Sequence, residues 1–92
     1  MTTHELKINP EFLEPIWKEN KRCEVRKFDR DYKVGDTLIL RAWDGENYTG
    51  VQVTVKVRHI IFPGTCGLPE TIGVMSIVPV TFVGANACQT TP

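Results

Sequence analysis

Residues 49–62, TGVQVTVKVRHIIF, constrain the fold more than any other stretch of this chain. Val51, Val53, Val55 and Val57 alternate with Gln52, Thr54, Lys56 and Arg58, the period-two pattern of a half-buried strand with β-branched residues on its apolar side. At ~3.3 Å per residue the run would reach roughly 45 Å, too long for a flat strand in a small domain. It must bend or bulge, and a bent long strand implies a sheet curled toward a barrel. With 92 residues the chain has room for one domain and one modest core.

Shorter segments fill in the rest. Residues 4–8 (HELKI) alternate Leu6 and Ile8 with Glu5 and Lys7 as a first strand, and residues 37–42 (TLILRA) put Leu38, Leu40 and Ala42 on one face. Residues 72–78 are almost continuously apolar and read as a central strand covered on both sides. Asp44, Gly45, Glu46 and Asn47 carry turn chemistry, and residues 63–71 form a Gly- and Pro-rich loop. One helical segment is signalled by Asn9 as N-cap, Pro10 at the first helical position and Glu11 near the positive end of the dipole. Phe12, Leu13, Ile16 and Trp17 fall at helical spacing and predict one buried stripe. Pro15 removes a backbone donor, so either a kink or a second helix starting there is expected.

The order of elements specifies an α+β fold: a small, curved, half-closed β-barrel of five to six mostly antiparallel strands, with one helical segment capping an opening. A parallel α/β fold does not follow, because helices do not alternate with strands. Residues 1–80 make the single domain, and residues 81–92 are expected to be a partly disordered C-terminal tail.

Eleven Lys and Arg balance eleven Asp and Glu, so general attraction to nucleic acid or membrane is not indicated. Cys23, Cys66 and Cys88 are odd in number and lack CxxC spacing or a nearby His pair, which argues against a disulfide framework and a zinc site. No signal peptide, transit peptide or long apolar segment is present. The expectation is a cytoplasmic protein with reduced thiols, no membrane partner, no cofactor and no metal.

The cations are nevertheless concentrated. Seven of the eleven lie between Lys18 and Lys33, and none follows Arg58. In residues 22–27, Cys23 and Val25 alternate with Arg22, Glu24 and Arg26, so a second strand here would bury Cys23 and present a carboxylate and a guanidinium on its other face. Pattern alone supports a solvated edge strand as well as a ligand-facing one. Residues 28–33 read as a mixed-charge loop, and Val34-Gly35-Asp36 as the turn beyond it.

The segment HELKINP, the partial GxKxxExR match from Glu19 to Arg26, and DRDYKVGD together resemble the ASCH domain of the PUA-like superfamily. The nearest likeness is to DUF3850, a subfamily of small bacterial and phage proteins, over about residues 4–79. The resemblance implies a PUA-like barrel whose cleft is lined by Lys21, Glu24 and Arg26, and ASCH domains are proposed to bind RNA or nucleotide-like ligands. Glu19 stands where that motif has glycine. Some ASCH-like proteins are amidohydrolases acting on acylated cytidine, with a GxKxxTxR motif and a glutamate on a late strand. Here Glu24 replaces the threonine and residues 73–79 contain no carboxylate, which counts against that chemistry.

Glu24 and Arg26 share a strand face, and Lys21 must reach them from the preceding turn. Two cations and one carboxylate suit a phosphate or sugar together with a base edge. They also suit an ion-pair network that only stitches the fold. Arg22, Lys27, Arg30 and Lys33 are candidates for a phosphate-tracking patch, although Asp29 and Asp31 interleave with them. Trp43 and Tyr48 flank a turn and are stacking candidates, with hairpin packing the simpler role; Trp17 fits the helix stripe. His59 continues the inward parity of the valines, a position usually filled by a satisfied core histidine.

The leading expectation is therefore an RNA- or nucleotide-binding module using Lys21, Glu24, Arg26, Arg22, Lys27 and Arg30. One alternative is a small hydrolase acting on RNA or a modified nucleoside, with Lys21, Glu24 or His59 as catalytic groups. Another is a phage or bacterial accessory protein that binds a protein partner.

Overall fold

In the computed structural model, described for residues 1–84 and for the backbone of residues 88–89, the chain forms a curled sheet plugged by one helical segment. Strands β1 (Thr3–Ile8), β2 (Cys23–Lys27), β3 (Thr37–Trp43), β4 (Tyr48–Ile61) and β5 (Ile72–Val83) lie in the spatial order β1-β3-β4-β5-β2. The pairings β3–β4, β4–β5 and β5–β2 are antiparallel, while β1 runs parallel to β3. The result is the small α+β half-barrel expected from the sequence.

The 14-residue β4 solves its length problem with two irregularities in its ladder with β5. Val57 pairs with Ile77 but His59 with Ser76, so Arg58 is an extra residue that bends the strand and reverses its parity. Ile60, not His59, continues the buried row of Val53, Val55 and Val57, and His59 is exposed. The second irregularity sets Thr54 opposite Thr81 and Val55 opposite Pro79, leaving Val80 as the extra residue where a proline must be accommodated within a paired strand.

Asn9 caps the helical segment, accepting from the Glu11 amide at 3.2 Å. A 3-10 turn (Pro10–Phe12) leads into α1 (Leu13–Trp17), and Pro15 falls within the first turn of α1, where its missing N–H costs no intrahelical bond. Leu13, Ile16 and Trp17 are buried and α1 lies against β4 and β5, with the Trp17 and Phe82 ring centroids 5.6 Å apart. Phe12 was expected in that stripe but is 39% exposed, because the 3-10 turn winds more tightly than an α-helix and rotates it off the apolar face.

Two further expectations are corrected. β5 lies inside the sheet, but only its inner row of Gly73, Met75 and Ile77 is buried; Ser76, Val78 and Val80 on the outer face are exposed, so it is covered on one side. β5 also runs through residue 83, past the expected end of the domain at 80, and β6 (Cys88–Gln89) pairs with Phe82 and Val83. The remaining part of the expected tail lies outside the described residues. Among the described residues no helix is long and apolar enough to cross a membrane.

Candidate functional site

The two edge strands of the curled sheet, β1 and β2, come together at a seam that no backbone ladder closes among the described residues. Side chains from β2 close it. Glu24 is 4% exposed; its Oε2 accepts from Arg26 Nε at 2.6 Å and its Oε1 from Lys21 Nζ at 3.3 Å. Arg26 then extends across the seam and donates Nη2 to the Lys7 carbonyl oxygen at 2.5 Å. Lys21 also donates to the Cys23 carbonyl oxygen at 2.6 Å, occupying part of the free edge of β2.

The strand therefore faces the opposite way from the apolar pattern. Cys23 and Val25 were expected inside, yet both are exposed, Val25 at 57%, and it is Glu24 that enters the barrel. Three polar groups that satisfy one another can occupy an interior position that two small apolar side chains do not fill.

Lys21 reaches Glu24 because of the turn before it. Glu19 adopts φ 61°, the left-handed conformation, with its amide bonded to the Ile16 carbonyl oxygen at 3.1 Å and the Asn20 amide to that of Pro15 at 2.8 Å. These are the two bonds of a Schellman cap, whose left-handed position is normally glycine. The turn keeps the shape a glycine would give it, and the departure at Glu19 does not misdirect Lys21.

Beside this latch of Lys21, Glu24 and Arg26, a cavity of about 330 Å³ opens on the seam. Lys7, Arg26, Lys27 and Arg30 line it with Tyr32 and Tyr48, and Glu5 and Asp29 are its acids. Arg26 is held by Glu24 and Glu5 by Arg41 at 3.3 Å, but Lys7, Lys27 and Arg30 have no salt bridge among the described residues. The arrangement can take an anion.

Tyr32 was not singled out by sequence reasoning. It is 2% exposed, and burial pushes its phenol above the ordinary value against the opposing charges of Arg30 and Arg26, so it stays a neutral donor and acceptor at the cavity wall. Its ring packs on Phe28 at 5.0 Å and on His4 at 4.8 Å. A single aromatic within the polar run DRDYK was the available signal.

His4 and Asp36 anchor the loop that carries Arg30 and Tyr32. His4 Nε2 donates to Asp36 Oδ2 at 2.9 Å, and Asp36 also accepts from the Thr2 amide and the Lys33 amide, each at 3.0 Å. Burial alone would raise the Asp36 carboxyl, but the hydrogen bonds from Thr2, His4 and Lys33 outweigh it and hold the group below its ordinary value. What looked like a solvated loop is pinned at both ends.

Of the residues expected at a site, Lys21, Glu24 and Arg26 are brought together, and Arg26, Lys27 and Arg30 share the cavity. Arg22 points elsewhere, donating to the Glu19 carbonyl oxygen at 2.9 Å, and Lys33 pairs with Asp31 at 3.7 Å. His59 pairs through Ser76 with Cys23 in the exposed outer row, on the opposite face of the sheet from Glu24, so Lys21, Glu24 and His59 do not form one catalytic group.

A family model for DUF3850, a domain of unknown function, matches residues 3–77, a span that contains the latch, the cavity and the His4–Asp36 anchor. The chain belongs to DUF3850. A relative of this DUF3850 chain is the "Uncharacterized 12.9 kDa protein in GpA 3'region" of Escherichia phage P2, 37% identical over 57 residues. That match covers 62% of this chain and 52% of the phage protein, about half its length. The crystal structure of hypothetical protein PH0355 aligns with a TM-score of 0.61 at 17% identity, covering 85% of this chain and 99% of that one. It has the same fold.

Proposed function

We propose that the seam cavity binds a nucleotide, free or at the end of a single-stranded RNA, and that the protein acts by recognition. The observation that carries this reading is the set of cations Lys7, Lys27 and Arg30 around one cavity without salt-bridge partners among the described residues. In a chain of zero net charge, cations that line one concavity without a carboxylate partner among the described residues suit a ligand that brings its own negative charge. Tyr32 adds a hydrogen-bonding group, and Tyr48, 42% exposed, an aromatic ring at the cavity wall. The cavity volume suits one nucleotide and is too small for a duplex. The resemblance of the KxxExR segment to the PUA-like ASCH domain supports the same ligand class.

Glu24 and Arg26 serve this reading as the latch that shapes the cavity, with both Glu24 oxygens already engaged. The test is a titration of isotope-labelled protein with uridine and adenosine monophosphates, followed by amide shifts and rechecked for product after several hours. Saturable shifts centred on Lys7, Arg26, Lys27, Arg30 and Tyr32, without product, are the expected result. Shifts confined to the outer face of β5, or no shifts with any nucleotide, would sink the proposal.

A further inference from the structure

A second cavity adjoins the seam cavity across Lys7. It measures about 640 Å³ and is lined by Asn9, Glu11, Trp43 and Asp44, and Lys7 lines both. Trp43 and Tyr48 are paired across the β3–β4 ladder with ring centroids 5.0 Å apart at 71°, so the ring of one cavity abuts the ring of the other. Lys7 Nζ lies 4.0 Å over the Trp43 ring, and the Arg41 guanidinium 3.8 Å over the Tyr48 ring. Cations and aromatic rings therefore line both cavities, which meet at Lys7 and together make one path, with Glu11 and Asp44 as the acids of the second.

We propose that this path is a track for a second nucleotide, so that the ligand is a single-stranded oligonucleotide with one nucleotide in the seam and the next base stacked on Trp43. The inference rests on the seam reading and extends it. Its physical basis is an exchange. An exposed cation–π contact is worth less than a base stacked on an aromatic side chain, and a lysine that leaves the ring for a phosphate gains an oppositely charged partner. Lys7 stands between the two cavities, where the phosphate linking two nucleotides would pass. Stacking on Trp43 needs an unpaired base, which excludes a duplex. Stacking on a ring and pairing with a phosphate do not depend on a 2′-hydroxyl, so RNA and single-stranded DNA share this chemistry.

The track makes chain length the measurable quantity. Trp17 is buried against Phe82, and in a Trp17→Phe background Trp43 is the sole tryptophan reporting on the ligand. In that background, uridine monophosphate, a uridine dinucleotide and a thymidine deoxydinucleotide are each titrated against the full chain. Both dinucleotides are expected to bind about tenfold tighter than the mononucleotide and to quench Trp43. In a Trp43→Leu variant, followed by amide shifts, the length advantage is expected to vanish. A mononucleotide that binds while the dinucleotide gains nothing, or a gain that survives Trp43→Leu, overturns the track and leaves the seam standing. Failure of all the ligands, the mononucleotide included, overturns both. A urea melt of Trp43→Leu shows whether the variant is folded; should it be unfolded, Trp43→Phe substitutes, and a gain unchanged within twofold together with unmoved shifts at position 43 overturns the track equally.

Discussion

Glu19 holds a backbone conformation that its own Cβ resists, since a left-handed residue other than glycine costs about 1–2 kcal/mol. Glycine gives back part of that relief through its freer unfolded state, so Glu19→Gly is expected to stabilise the protein by about 0.5–1 kcal/mol in urea denaturation. A loss of stability would show that the turn is not strained. Glu24 is the opposite case. Glu24→Ala leaves Arg26 and Lys21 without their carboxylate, and because both cations keep partial contact with water the expected cost is about 2 kcal/mol, below that of a fully buried pair. Asp36 ties the pH response to the fold. Its carboxyl is held below the ordinary 3.8, so its contribution is complete above that value and is lost as pH falls through the lower folded value. Urea midpoints measured from about pH 7 down to about pH 3 should fall at the acid end. In Asp36→Asn, already weaker by about 1–2 kcal/mol from the altered hydrogen bonds, that acid-end fall should be smaller.

Among the elements, the long strand was legible and the place of its bulge was not. Valines at every second position specify a strand whatever surrounds them, and the excess length required a bulge. Nothing local said that Arg58 would be the extra residue, so the parity of His59 was misread; its position depends on β5, not on its neighbours in sequence. β2 was misread for a related reason. Alternation locates two faces, and hydropathy assigns the apolar one inward, but Glu24 is inside because Lys21 and Arg26 satisfy it there. The trio itself was found from the motif, whereas Tyr32, Lys7 and Asp36 were missed because each acts through a partner distant in the chain. Gly73 shows how such packing can be tested. A Cβ at that position would come within 2.5 Å of the Phe28 ring, which also packs on Tyr32 and Phe62. Gly73→Ala is expected to displace Phe28 and to cost about 1–3 kcal/mol in denaturant melts, with shifted Tyr32 ring resonances. Unchanged resonances would show that Phe28 does not support the cavity wall.

For the molecule as a whole, a five-strand path that curls without closing leaves two edges facing each other, and this chain covers the gap with charge instead of a backbone ladder. Arg26 is spent on that closure, while Lys7, Lys27 and Arg30 around the same opening are not. As proposed, those cations are a ligand site and not a solvated rim. Calorimetric titration of uridine monophosphate and of uridine into wild type and into Lys27→Ala/Arg30→Ala, with a urea melt of each protein, separates the two. The monophosphate is expected to bind at least about tenfold tighter than the nucleoside, and the double variant to lose that margin with stability changed by less than about 0.5 kcal/mol. Equal affinity for nucleoside and monophosphate in the wild type, or a margin that persists in the double variant, would show that Lys27 and Arg30 are only a solvated rim.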